Sequence, residues 1–152
     1  MSEKTIFASG IVQDHRNKVT RRFTATIIGD WQDNQGVLDE TFYFADGKVE
    51  KRCWRLTKQG DKLTGTAGDV IGTAKGQVQG NTLNWQYTLK AQTDNGQVKL
   101  KLDDWLYLVD EYNLINRTKM FFWSFPVGEV TLHIAKLKKP KTTQTSADCR
   151  LK

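Results

Sequence analysis

The feature that most limits the fold of this chain is an alternation of apolar and polar residues with period two. The alternation runs over residues 19–31, 83–90, 98–103 and 130–134. Successive side chains of a strand point to opposite faces, so this pattern is typical of strands with one face on a core and the other in water. No segment sustains the three-and-four spacing of an amphipathic helix. The sequence therefore predicts an all-β protein.

Turn-forming residues separate the alternating segments, mostly every eight to sixteen residues. The pairs Asp46-Gly47 and Asn95-Gly96 supply the positive φ that tight hairpins require. The spacing predicts eight to ten strands joined as sequential hairpins. A sheet of that size curls or closes, because a long open edge invites aggregation. We predict a single antiparallel up-and-down β-barrel over residues 5–138, with a sandwich as the alternative.

Composition and charge exclude several other classes of protein. Five Trp, four Tyr and seven Phe provide enough apolar surface to offset the ordering entropy, which a disordered chain lacks. The net charge is +6, but residues 136–152 carry six Lys and Arg against one acid, so the rest is nearly neutral. We predict a basic disordered C-terminal tail over residues 139–152, making at most weak membrane-surface contact, and no specific nucleic-acid partner.

The residue types of metal and catalytic sites form no recognisable motif. Cys53 and Cys149 are too few and too far apart in sequence to indicate a disulfide scaffold or a zinc site. His15 and His133 lack a third metal ligand, although a single haem ligand at His133 remains an alternative. No nucleophile elbow is present. We predict no catalytic residue, no metal, no cofactor and a monomeric chain.

Several polar residues fall on otherwise apolar strand faces. A charge that faces a barrel interior is costly unless it is paired, so Glu40, Arg52 and Asp104 are expected to form an internal network. Asp69 also falls at period two with apolar neighbours, whereas the adjacent Asp103 must face the opposite way from Asp104. One interpretation is that the network only fixes strand register.

The other interpretation is that the same network recognises a ligand. Arg52, with Asn116, would bind a carboxylate or phosphate head group through its planar fork, while Glu40 and Asp104 hold Arg52 in place. Aromatic residues on the inward faces would contact the apolar part. The predicted ligand-binding residues are Glu40, Arg52, Trp54, Trp85, Tyr87, Asp104 and Asn116.

Short runs spread over the whole barrel segment carry a family resemblance. They include residues 10–14, 29–31, 38–42, 65–74, 103–108 and 127–132. In these runs the chain resembles a bacterial family known as domain of unknown function 3833, whose members are often described as lipoproteins. The resemblance implies a cell-envelope address with a lipidated cysteine ahead of the barrel. No signal peptide or lipobox precedes Thr5, so we expect either a cytoplasmic protein, if the chain is complete, or the mature form of an envelope protein.

Gly29 and Trp31 on an early strand also resemble the calycin superfamily of lipocalins and fatty-acid-binding proteins. This likeness implies a calycin-like barrel and raises the expectation of an apolar ligand. A barrel of this size holds either side chains or one small ligand. We therefore expect a non-enzymatic protein that binds a small hydrophobic or amphipathic, lipid-like molecule. The alternatives are a filled structural or protein-interaction module of the envelope and, third, an enzyme of unknown reaction.

Overall fold

The computed structural model describes residues 2–136 and 144–152, and these contain ten strands and no helix. The predicted all-β class is confirmed. The strands are β1 Ser2–Asp14, β2 Val19–Gln32, β3 Gln35–Phe44, β4 Val49–Gln59, β5 Lys62–Thr66, β6 Val70–Gln79, β7 Thr82–Thr93, β8 Gly96–Asp110, β9 Asn113–Phe122 and β10 Phe125–Lys136.

The strands form a closed up-and-down barrel, as predicted from the alternation and the turns. Each strand pairs antiparallel with the next one, and β1 also pairs with β10, placing Ala8 opposite Ile134. Closure gives each of the ten described strands a hydrogen-bonded neighbour on both sides. Gly47 and Gly96 adopt φ values of 90° and 99°, which confirms the left-handed turn conformation expected of their Asp-Gly and Asn-Gly pairs.

Two apolar clusters lie in the interior. One cluster comprises Ala8, Phe23, Ala25, Leu132 and Ile134, on β1, β2 and β10. The other comprises Trp54, Leu56, Val70, Ala74 and Trp85, on β4, β6 and β7. Gly76 makes room for the Trp85 ring, because a Cβ at this glycine would lie 2.6 Å from Trp85 Cε3.

The C-terminal segment packs on the outside of the barrel. A disulfide joins Cys149 to Cys53 on β4, with the two Cα atoms 5.6 Å apart. The Ser146 backbone N–H donates to Asp39 Oδ2 at 2.7 Å, and Arg55 Nη1 donates to the Arg150 carbonyl at 2.8 Å. Residues 144–152 are thereby held against the outer faces of β3 and β4.

The expectation of a disordered tail therefore does not hold for residues 144–152; residues 139–143 lie outside the described residues. The sequence also offered no indication of the single disulfide that the structure contains. The two cysteines are 96 positions apart in sequence, and that separation carries no information about their distance once the chain has closed into a barrel. The polar composition of the segment likewise hides the partners that the outer strand faces offer.

Candidate functional site

Five titratable side chains meet inside the barrel, and we call them the interior polar cluster: Glu40, Arg52, Asp69, Tyr87 and Asp104. The strand register produces this meeting, because it pairs Glu40 directly with Arg52. The same alternation that directs Trp54, Trp85 and Leu102 into the core places the cluster on the interior faces of β3, β4, β7 and β8. Asp69 joins them from the turn between β5 and β6.

Arg52 is held by a two-pronged ion pair with Asp69. Arg52 Nε donates to Asp69 Oδ1 at 3.0 Å, and Nη2 donates to Oδ2 at 2.9 Å. The side chains are 19% and 39% exposed, and Asp69 lies in the β5–β6 turn, so this pair lies at one end of the barrel. The Asp69 carbonyl accepts the Lys90 N–H at 2.8 Å, which fixes the turn. Bidentate geometry of this kind leaves the guanidinium in one orientation.

Glu40 is partly buried beside Arg52, and its pKa is raised from the usual 4.5 to about 7. Burial is the largest cause, because it disfavours the charged carboxylate. The charges of Asp104 and Asp69 raise the pKa further, while Arg52 and a hydrogen bond from Trp54 oppose the change. Glu40 is therefore poised to exchange a proton near neutral pH.

Asp104 is 8% exposed, and its pKa is raised from 3.8 to about 6, chiefly by burial. Hydrogen bonds from the Thr118 and Tyr87 hydroxyls, together with the charge of Arg52, favour the ionised form and limit the rise. Burial also raises the pKa of Tyr87 well above 10, and the charge of Asp104 adds to that effect. Tyr87 is consequently a neutral hydrogen-bond donor.

Asn116 lies beyond Asp104 and does not contact Arg52 through any hydrogen bond that the described residues show. Its Nδ2 donates to the Trp105 carbonyl at 3.1 Å, and its Oδ1 lies 3.4 Å from Thr118 Oγ1. Asn116 is therefore linked to Asp104 through Thr118. The joint binding of a head group by Arg52 and Asn116 therefore stays a prediction.

Aromatic rings line one side of the cluster. The Trp54 ring centre lies 5.3 Å from that of Trp85 and 5.1 Å from that of Tyr87, both edge to face. The Arg52 guanidinium lies 5.7 Å from the centre of the Phe42 ring. All seven predicted site residues thus lie on interior faces, and all except Asn116 contact one another within a single polar and aromatic group.

Asp69 is a member of the cluster that is not among the ligand-binding residues predicted from the sequence. The signal was its period-two spacing from apolar residues, which is weak within a glycine-rich turn. Including Asp69 changes the charge of the cluster, because three carboxyl groups then surround one guanidinium. Asp69 accepts hydrogen bonds from two nitrogens of that guanidinium. A carboxylate or phosphate would add a further negative charge beside these three carboxyl groups. The anionic head group expected from sequence stays a prediction.

Asp103 confirms the prediction that adjacent carboxylates face opposite ways. Its carboxylate accepts hydrogen bonds from Asn84 at 2.8 Å, Gln86 at 3.2 Å and the Trp105 indole at 3.3 Å. Burial raises the pKa of Asp103, but these bonds outweigh burial and leave the pKa lowered. Asp103 and Asp104 cannot serve one site as an acid and base pair.

Two surface cavities lie elsewhere on the molecule. One, of about 280 Å³, lies between Leu151 and the strand residues Val37 and Thr64. The other, of about 400 Å³, is lined by residues around Val19 and Phe44. None of the cluster residues lines either cavity. In residues 2–136 and 144–152, no group of three His, Cys, Asp or Glu side chains is placed to hold a metal ion.

The fold and the cluster together define a class: a closed ten-stranded antiparallel barrel whose interior holds a group of titratable side chains. Within that class, the chain belongs to the family described as protein of unknown function DUF3833, whose model matches residues 3–136. The family resemblance predicted from the sequence runs is confirmed. Its lipoprotein and calycin-like aspects remain predictions.

One solved structure is similar in outline. The crystal structure of the ywiB protein from Bacillus subtilis matches with 14% identity and a TM-score of 0.42, covering 90% of this chain and 93% of that chain. No curated protein matches the chain. Within the described ranges, no helix has the length and apolar character needed to cross a membrane.

Proposed function

We propose that this protein is a non-enzymatic binding module for a small amphipathic, lipid-like molecule whose polar end is a cation such as a primary amine. The interior polar cluster would receive that end. The observation that carries the proposal is the imbalance of charge: Glu40, Asp69 and Asp104 surround a single cation, Arg52, that Asp69 already engages.

A bound cation would relieve the cost of this imbalance. Ionised carboxylates are expensive to bury unless a positive charge compensates them. An ammonium group between Glu40 and Asp104 would supply that charge and three hydrogen-bond donors. Because Glu40 has a pKa of about 7, binding would release its proton. Affinity should then rise with pH until Glu40 is ionised in the free protein.

The surroundings suit the rest of such a ligand. Trp54 and Tyr87 present rings beside the carboxylates, and aromatic faces attract cations. A barrel of ten strands is wider than one of eight, in which side chains or one small ligand already fit. The partly exposed Arg52–Asp69 pair marks the opening through which the molecule would enter. An interior ligand site that is reached from one end of the barrel also agrees with the expected calycin-like relationship.

The proposal is tested with dodecylamine and dodecanoic acid, which share one chain length and differ in head-group charge. Binding is followed by tryptophan fluorescence and calorimetry at about pH 6 and pH 8. We expect the amine to bind more tightly, with affinity increasing with pH. Glu40→Gln should weaken amine binding at least about tenfold at pH 8, as expected for losing one charged hydrogen bond.

Asp103→Asn is the matched control, because Asp103 is a hydrogen-bonded carboxylate on the outer face. It should leave amine binding unchanged. Tighter binding of the acid than of the amine would contradict the proposal. An equal loss of affinity in Asp103→Asn and Glu40→Gln would also contradict it, since the interior position would then have no special role.

A second candidate is a structural or protein-interaction module with a filled barrel. It is favoured by the packing of the interior, where Trp54, Leu56 and Trp85 form a buried cluster. In that case neither amphiphile binds at micromolar concentration. Glu40 and Asp104 would then only fix the strand register, and replacing them with apolar residues of similar volume would stabilise the barrel.

We further propose that the protein works in an oxidising compartment, such as the cell envelope. The Cys53–Cys149 disulfide supports this, because disulfides persist in such compartments and are rare in the cytosol. Protein taken from its host under acid quench should show no thiol reactive toward a maleimide until a reductant is added. Two reactive thiols in the unreduced, denatured protein would contradict the assignment.

A further inference from the structure

The turn between β9 and β10 exposes a group of aromatic side chains, which we call the aromatic turn: Phe122, Trp123 and Phe125. Their exposed fractions are 41%, 79% and 70%. Most surface apolar residues occur singly, whereas these three follow one another around a single turn. Nothing in the function proposed for the interior accounts for them.

The backbone of this turn indicates that the Trp123 ring is needed there. Trp123 has φ 57°, in the left-handed region. Bulky residues rarely adopt this conformation, which asparagine and glycine accept readily. The ring lies against Phe122 with 6.3 Å between their centres and does little to cover the core. A strained residue whose side chain points into solvent suggests that the side chain serves an external contact.

The surroundings of the aromatic turn are mostly basic. The antiparallel register puts Lys101 opposite Phe121 on the neighbouring strand β8, and brings the β1–β2 turn, with Arg16 and Lys18, beside β10. Lys99 and Lys119 are also exposed on these strands. Acids also lie nearby: Asp14, whose carboxylate accepts backbone N–H groups of the β1–β2 turn, and the exposed Asp94. The register further places Asp103 and Glu129 opposite Lys119, and Glu129 is engaged by Arg117.

We propose that the aromatic turn inserts into the interface of a phospholipid surface that carries anionic lipids. Trp and Phe rings favour the boundary between head groups and acyl chains, and surrounding Lys and Arg side chains attract anionic head groups. A protruding turn suits a deformable lipid surface better than it suits the concave site of a rigid partner. The exposed Val19 and Val49 lie at the same end of the barrel and extend the apolar contact.

Docking in this way would turn the barrel opening toward the lipid. In an up-and-down barrel all turns that follow odd-numbered strands lie at one end, so the Arg52–Asp69 opening and the aromatic turn share that end. The inference concerns the surface alone. It stands or fails independently of the interior site, whose assay uses dissolved amphiphiles.

The test is cosedimentation with vesicles of phosphatidylcholine alone and of phosphatidylcholine mixed with phosphatidylglycerol. We expect binding to the mixed vesicles, a blue shift of tryptophan emission, and quenching by acyl-brominated lipid. Trp123→Asn should reduce the partition coefficient at least about tenfold without loss of stability, because asparagine tolerates positive φ. Phe125→Thr provides a second variant. Replacing Lys99 and Lys101 by Gln should weaken binding to the mixed vesicles only.

Tyr107→Thr is the matched control, because Tyr107 is an exposed aromatic on the wall of the barrel, 39% accessible. It should leave vesicle binding unchanged. The proposal is overturned if the wild-type chain binds neither vesicle, or if Trp123→Asn binds as the wild type does. It is also overturned if Trp123→Asn leaves vesicle binding unchanged but abolishes a self-association of the wild type seen by analytical ultracentrifugation. In that case the aromatic turn would contact a second copy of the protein rather than lipid.

Discussion

Replacing Glu40 by Gln should stabilise the protein at alkaline pH. Glutamine keeps the size of the side chain and an acceptor for the Trp54 hydrogen bond, and removes only the charge. The physical reason is the raised pKa of Glu40, of which burial is the largest cause. The neighbouring charged groups that face Glu40 are Arg52, Asp69 and Asp104, and the attraction of Arg52 only partly offsets burial.

The sign of the effect follows from proton binding. Glu40 has a pKa of about 7 when folded and an ordinary value of 4.5. Between those values the folded protein binds more protons than the unfolded chain, so the free energy of unfolding falls as pH rises. One pKa unit corresponds to about 1.4 kcal/mol, so Glu40 lowers the stability by about 3 kcal/mol at most by pH 8. Asp104 acts in the same direction.

Urea unfolding at about pH 5 and pH 8 measures the effect. The free energy of unfolding of the wild type should be lower at about pH 8 than at about pH 5. Glu40→Gln should reduce this dependence on pH. At pH 8 the variant should exceed the wild type by roughly 2–3 kcal/mol. Asp103→Asn, on the outer face, should not do so. The reasoning is refuted if the wild-type profile is flat, or if Glu40→Gln is the less stable protein at pH 8.

Three further predictions concern stability and are measured by the same unfolding assay. Cys149→Ser should release residues 144–152 to proteolysis and destabilise the protein by up to about 4–5 kcal/mol, the chain-entropy limit for a loop of this length. Arg52→Met should lower the free energy of unfolding by about 2–3 kcal/mol. This is less than for a fully buried pair, because the partner carboxylate is 39% exposed. Arg117→Met, which breaks an exposed pair, should lower it by less than about 1 kcal/mol. Gly76→Ala should cost roughly 1–3 kcal/mol by crowding the buried indole, whereas Gly68→Ala, with open space around it, should be nearly neutral.

The barrel was predictable because its determinants are local. Alternation assigns each strand residue to a face, and Asp-Gly and Asn-Gly pairs mark hairpins within a few residues of their true positions. Sequential hairpins of this number can satisfy their edges simply by closing. Ten strands, rather than eight, required the paired registers that only the structure provides.

The candidate site was predictable in part. Period two identified Glu40, Arg52 and Asp104 as interior residues, but it cannot measure distances between strands. Asp69 follows Arg52 by 17 positions in the sequence, and the β4–β5 hairpin brings the two side chains together. That contact depends on the register of β4, β5 and β6 together. The excess of carboxyl groups in the cluster, on which the proposed class of head group rests, became evident only once this pairing was known.

The C-terminal segment was unpredictable for a related reason. Its contacts join Cys149 to β4 and Ser146 to β3, both on outer faces where polar residues are normal. No periodicity marks such a contact, because the segment crosses strands rather than pairing with them. The sequence shows the residues of the aromatic turn, but it does not show that their side chains are exposed. Their exposure became evident only from the conformation of the β9–β10 turn.

The measurement that tests the central claim most directly is a carboxyl-carbon NMR titration of Glu40, with and without dodecylamine. The account predicts a pKa of about 7 in the free protein. It predicts a saturable fall of that pKa by at least about one unit when the amine binds, because a nearby cation favours the carboxylate. An ordinary pKa in the free protein, or a raised pKa that saturating amine leaves unchanged, would contradict the claim.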